Sequence, residues 1–77
     1  MTIKVMFFGV LTEVAGIDIR HYNGVRSISD LKHRLEDEFP EIRHYNYRMS
    51  LNNEIINGDR ALNDNDEVAL LPPFAGG

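Results

Sequence analysis

The sequence closes on LLPPFAGG, residues 70–77, and the chemistry available there comes from position, with a carboxylate carried on Gly77 behind a second bare glycine, Gly76. A carboxylate is a poor electrophile. Converted to an acyl-adenylate it gains a leaving group, and a sulfur or nitrogen nucleophile can then attack. Glycines suit such an end because a chain without Cβ atoms can thread a narrow channel in a partner. Pro72 and Pro73 fix φ, carry no backbone N–H and hold the chain extended. Phe74 reads as an anchor for a partner's pocket. The competing reading is a frayed terminus; an apolar, stiffened approach to Gly-Gly argues against it.

Side-chain chemistry is sparse elsewhere. His21, His33 and His44 fall on a strand, a helix and a loop, without the spacing that builds a metal site, and read as surface histidines. Ser27 lacks G-x-S-x-G surroundings and reads as a helix cap. The run EDE at 36–38 fans around a helix axis and reads as a solvated face. There is no cysteine, which removes disulfides, thiolate metal sites and cysteine nucleophiles together.

The chain that must carry this end has 77 residues, enough for one domain that buries roughly 60 % of its unfolded surface. Eight Lys and Arg against twelve Asp and Glu leave a net charge of −4 with no basic cluster, which disfavours nucleic acid. No run reaches the roughly 20 apolar residues of a membrane helix. The opening MTIKVMFFGV reads as a strand, not a leader, so a soluble, cytoplasmic protein is expected.

TIKVMFF, residues 2–8, is apolar on both faces, as in a central strand covered at least partly on both sides. VLTEVAG gives one or two helical turns closed by Gly16. IDIRHY, residues 17–22, alternates as a half-buried strand antiparallel to the first. SISDLKHRLEDEFP is the clearest helix: Ser27 caps it, Asp30 completes a variant capping box, and Ile28, Leu31, Leu35 and Phe39 form one apolar stripe ending at Pro40. EIRHYN reads as a loop or single turn, YRMSL and EII as strands joined at Asn52-Asn53, NGDRALNDND as a polar loop anchored by Leu62, and EVALL, residues 67–71, as the last strand. One amphipathic helix must bury its stripe on one face of a mixed sheet with the first and last strands central. The expected fold class is therefore α+β: a β-grasp (ubiquitin-like) domain over 1–71, with about five strands on one main helix and an extended tail over 72–77.

At these residues the sequence resembles the molybdopterin synthase small subunits, the MoaD type within the MoaD/ThiS sulfur-carrier family. The matching stretches are IKVMFFGVLTEVAG, SISDLKHRLEDEFP, LNNEI and ALNDNDEVALLPPFAGG; one departure is Asn65, where the family commonly has Gly and where Asn tolerates the left-handed turn. The resemblance implies a carrier that is not catalytic alone. An E1-like, MoeB-type enzyme would adenylate Gly77 with ATP, and a sulfur donor would convert the adenylate to a thiocarboxylate. The large, MoaE-type subunit would then use that sulfur to build the molybdopterin dithiolene, within a heterotetramer. The implied roles are Gly77 as sulfur carrier, Gly76 as channel spacer, and Pro72, Pro73, Phe74 and Ala75 as tail docking, with a further docking surface around Phe8 and Leu70; no bound cofactor or metal is implied. Asp59, Asp64, Asp66 and Glu67 either pair with basic partners or organise a turn. Three alternatives stay open: a carrier for thiamin thiazole or another sulfur metabolite, a ubiquitin-like modifier, and a non-catalytic binding module.

Overall fold

In the computed structural model, residues 1–72 are described. The elements run β1 (Thr2–Phe7), α1 (Val10–Ala15), β2 (Ile19–Asn23), α2 (Ile28–Glu38), a 3-10 turn (Pro40–His44), β3 (Arg48–Leu51), β4 (Glu54–Ile56) and β5 (Glu67–Leu71). The strands form one mixed sheet in the order β2-β1-β5-β3-β4. β1 and β5, the first and last strands, lie parallel at its centre, and the β1–β2, β3–β4 and β3–β5 pairs are antiparallel. This is the β-grasp arrangement.

Local sequence accounts for the boundaries. Gly16, with φ 76°, ends α1 in the left-handed region, where its N–H reaches the Thr12 carbonyl. At the start of α2, Ser27 Oγ accepts from the Asp30 N–H, while the Ser29 N–H donates to Asp59 Oδ1 at 2.8 Å and the Ile28 N–H to the Arg60 carbonyl at 2.9 Å. The amides that a helix cannot satisfy internally are thus taken up by its cap and by the 57–66 loop. Asp30 Oδ2 reaches back to the Arg26 N–H, one residue before the cap. Asn52 and Asn53, at φ 48° and 73°, make the tight β3–β4 turn, and Asn65 sits at φ 66°.

The core lies between α2 and the inward sheet face. Ile3, Val5, Val68 and Leu70 from the two central strands meet Leu31 and Leu35 from the helix, all with no measurable exposure. Phe7 packs edge-on to Phe39 with centroids 5.5 Å apart. Truncating a leucine in such a layer costs about 2–5 kcal/mol.

Two expectations change. β1 is central, but only its Ile3, Val5 and Phe7 side is buried; among the described residues no second layer covers Met6, and Phe8 is 45 % exposed. In β2 the alternation holds over Ile19–Asn23, with Tyr22 buried and Ile19 46 % exposed. Register explains this: Tyr22 pairs with inward Ile3, and Ile19 with outward Met6.

Candidate functional site

Pro72 follows one of the two strands, β1 and β5, that lie at the centre of the sheet. Within β5, Val68 and Leu70 stand beside Val5 and Phe7 of β1, while Leu71 and Leu70 pair with Arg48 and Met49 of β3. The Phe8 N–H adds a bond to the Leu70 carbonyl at 3.2 Å. Hydrogen bonding on both sides up to its last residue fixes the direction in which β5 delivers Pro72.

Gly9 completes this mount. Its backbone lies at φ 56°, ψ −135°, a conformation that side chains disfavour, and a Cβ there would come within 2.8 Å of Pro72 Cγ. Position 9, between β1 and α1, therefore favours glycine for two reasons, strain and close approach. Nothing in the local sequence advertises this contact, because the partners are far apart along the chain.

Of the expected partner-facing residues, Phe8 is exposed and Pro72 half-buried beside the tail exit. Leu70 is a correction: it is fully buried, facing the helix, so it is not part of an exposed docking surface. In EVALL each residue after Glu67 is apolar, and the run has no alternation from which to read its phase. Val68 and Leu70 turn inward while Ala69 and Leu71 turn outward. Pro73, Phe74, Ala75, Gly76 and Gly77 lie outside the described residues.

On the outward face, ladder register aligns Ile19, Met6, Ala69, Ser50 and Ile55 across all five strands. The row is apolar apart from one hydroxyl, and its two ends, Ile19 and Ile55, are 46 % and 53 % exposed. Ala69 and Ser50 in the middle of the row are buried, so its exposed apolar area lies at the two ends and at the half-buried Met6, with Phe8 also exposed nearby in sequence.

The remaining candidates do not converge on this site. His21, His33 and His44 are all exposed. Among the described residues no group of three His, Asp or Glu side chains gathers as a metal would require. Glu36 and Glu38 point to opposite sides of α2, and neither is simply solvated. Glu38 accepts from the Tyr22 hydroxyl at 2.7 Å and from Arg20 Nε at 2.9 Å, and Glu36 accepts from the Tyr47 hydroxyl at 3.1 Å. Burial, then the hydrogen bond to Glu38, pushes the Tyr22 phenol upward; burial, then the charge of Glu36, does the same for Tyr47. Glu38 is held below the usual carboxylate range, first by the hydrogen bond from Arg20.

The acidic residues before β5 bind backbone and amide groups. Asp64 Oδ1 takes the Thr2 N–H at 2.7 Å, and Asp66 takes the Asn63 N–H at 2.8 Å and Asn52 Nδ2 at 3.1 Å. They cluster at the start of β5, whereas the tail leaves from its end, about 3.3 Å further away per residue. This geometry favours the turn role.

Comparison with known proteins bears on the whole chain. A putative molybdopterin converting factor subunit 1 from Pyrococcus furiosus has a similar structure, with a TM-score of 0.85 and 21% identity over 96% of this chain and 99% of that one. Small archaeal modifier protein 1 from Haloferax volcanii superposes with a TM-score of 0.84 and 24% identity, covering 100% of both chains. A chain from the complex of subunits 1 and 2 of molybdopterin-converting factor from Helicobacter pylori 26695 gives 0.77 and 24%, again over 100% of both. These likenesses establish the fold. The model of the ThiS family matches residues 5–77, from β1 through Gly77, and the chain therefore belongs to the ThiS family, within the MoaD/ThiS group of ubiquitin-like sulfur-carrier proteins.

Proposed function

We propose that this chain is a sulfur carrier of the MoaD type, whose Gly77 is adenylated by an E1-like enzyme and converted to a thiocarboxylate that supplies sulfur for the molybdopterin dithiolene. The observation that carries this reading is the position of β5, held between β1 and β3 and leading through Pro72 into PFAGG. A domain built this way is a firm handle for the residues that follow Pro72. Chemistry at Gly77 needs no nucleophile or base from the handle, since the activating enzyme and the large subunit would provide them. ATP would be consumed by the activating partner, and the carrier would hold no cofactor of its own. The outward row from Ile19 to Ile55, with Phe8, is the surface we assign to the large subunit, in a heterotetramer with two carriers. The similar chain from a complex of the two molybdopterin-converting-factor subunits supports a partner of that kind.

Intact mass of the purified chain, before and after incubation with an E1-like enzyme, ATP and a sulfur donor, tests the proposal. A gain equal to one sulfur-for-oxygen exchange, absent from a Gly77-deleted chain, is the expected result. Similarity to small archaeal modifier protein 1 favours one second reading, in which Gly77 is joined to a lysine of a target. In that case the activated chain appears as a stable lysine-linked conjugate, and no thiocarboxylate accumulates.

A further inference from the structure

The helix leaves one side of the sheet open. Between α2 and the β3–β4 hairpin runs a groove of about 320 Å³ with Ile28, Met49 and Ile56 as its apolar lining and Lys32, Arg48 and Asp59 at its polar margin. A second hollow continues it past Tyr47 to Tyr45 and Arg43, with Lys32 shared between the two. Among the described residues β4 is the outermost strand and pairs only with β3. In a two-residue hairpin the closing pair, Leu51 and Glu54, takes the ladder bonds, so the N–H and C=O of Ile55 point away from β3. Apolar lining and a free strand edge thus lie side by side.

The charges say what kind of chain would fill them. Lys32, Arg43 and Arg48 are three of the eight cations in a molecule of net charge −4. Among the described residues none of them forms an ion pair, since the salt bridges are Arg20–Glu38 and His44–Glu41. Within the described residues the Arg48 guanidinium donates only to Asn57 Oδ1, at 3.2 Å. Two acidic residues line the walls: Asp59 already has Oδ1 engaged by the Ser29 and Arg60 N–H groups, and Glu36, in the second hollow, accepts from the Tyr47 hydroxyl. Three cations beside a narrow apolar slot are too few for a phosphate backbone, whereas they match a few carboxylates around an aliphatic side chain.

We propose that this groove docks an extended segment of a partner protein, laid as an added strand along β4, with an aliphatic side chain among Ile28, Met49 and Ile56 and flanking carboxylates on Lys32 and Arg48. Backbone bonds to Ile55 supply affinity and the slot supplies selection, as in other strand-addition interfaces. The groove opens on the helix side of the sheet and the row from Ile19 to Ile55 faces away from the helix, so both surfaces can be occupied together.

The test uses the full chain, labelled with nitrogen-15 and titrated with the acetylated, amidated peptide Asp-Glu-Val-Ile-Asp-Leu-Glu. Saturable shifts confined to residues 28–32, 43–49 and 54–59, with the Ile55 amide becoming protected from exchange, are expected. The Asn/Gln version of the peptide should bind about tenfold more weakly. Lys32→Glu combined with Arg48→Glu should also weaken binding about tenfold while leaving the melting temperature unchanged, and a Lys-substituted peptide should recover it. Four results overturn the proposal: no saturable shifts, shifts centred on Met6, Ile19 and Ala69, equal binding by the double variant, or groove shifts that grow with protein concentration alone, which give the groove to a second copy. Tighter binding there by free Pro-Pro-Phe-Ala-Gly-Gly than by the acidic peptide also overturns it, in favour of the chain's own end.

Discussion

The two long sides of α2 meet the sheet differently. On the β2 side, Tyr22 fills the space between helix and strand. Its ring lies between the guanidinium groups of Arg20 and Arg34, at 4.7 and 5.2 Å, and its hydroxyl ends on Glu38. On the β4 side the strand is only three residues long, Tyr47 is half-buried, and a groove remains. One seam is closed by side chains that fill it, and the other, bridged by the Tyr47–Glu36 hydrogen bond, keeps cations that form no ion pair among the described residues. A small domain with one helix can use its long polar side chains to hold the fold together or to meet partners, and here the two tasks are separated by seam.

Tyr22→Ala should break the closed seam with the largest effect, about 3–5 kcal/mol, because it removes a buried aromatic along with its hydrogen bond. In a domain with roughly 5–15 kcal/mol of stability, that brings urea or thermal unfolding close to ambient conditions. Gly9→Ala touches neither seam and gives a reference. Left-handed strain and the clash with Pro72 should cost about 1–3 kcal/mol, and thioacylation of Gly77, followed by mass, should slow because the tail leaves its mount at another angle.

Tyr22→Phe and Tyr47→Phe compare the seams atom for atom, each removing one hydroxyl for about 1 kcal/mol. Both phenols titrate above their ordinary value in the folded chain. Their contribution is therefore whole below about pH 10 and is lost as pH rises further, so each Phe variant should flatten the alkaline fall of the unfolding midpoint. Glu38 has the opposite sign: with its folded value lowered, its contribution is present above about pH 4.3 and is lost as pH falls through that range. Glu38→Gln should flatten the acid limb. Lys32→Ala, on the open seam, should change stability by no more than about 0.5 kcal/mol; a larger loss would mean that this seam is also part of what holds the domain together.

Much of this was legible in the residues themselves. Ser27 as cap, Gly16 as stop, Asn52-Asn53 as turn and Asn65 as a left-handed residue each follow from local conformational preference, and the Ile28-Leu31-Leu35 stripe from helical period. The chemistry proposed for Gly77 rests on the sequence and the family alone, since that residue lies outside the described ones. Leu70 was misplaced because a central strand apolar on both faces hides which side is core. Tyr22 was hard to read because Ile17 and Ile19 suggest a strand over 17–22 with the opposite phase inward, whereas β2 starts only at Ile19 and turns that residue outward. The contact of Gly9 with Pro72 and the groove beside β4 arise from segments distant in sequence, and no spacing rule reaches that far.

The parallel pairing of β1 with β5 also governs when this protein can exist as a folded object. A chain still emerging from the ribosome has β1 early and β5 after the other four strands, so the gap between β1 and β3 stays open until residues 67–71 have been made. Contacts of such large sequence separation form late and raise the entropic barrier to folding. Chains that stop before residue 67 accordingly lack the strand that leads into Pro72. In the carrier we propose, such a chain has no mount to present to an activating partner, a check on folding that needs no inspecting enzyme.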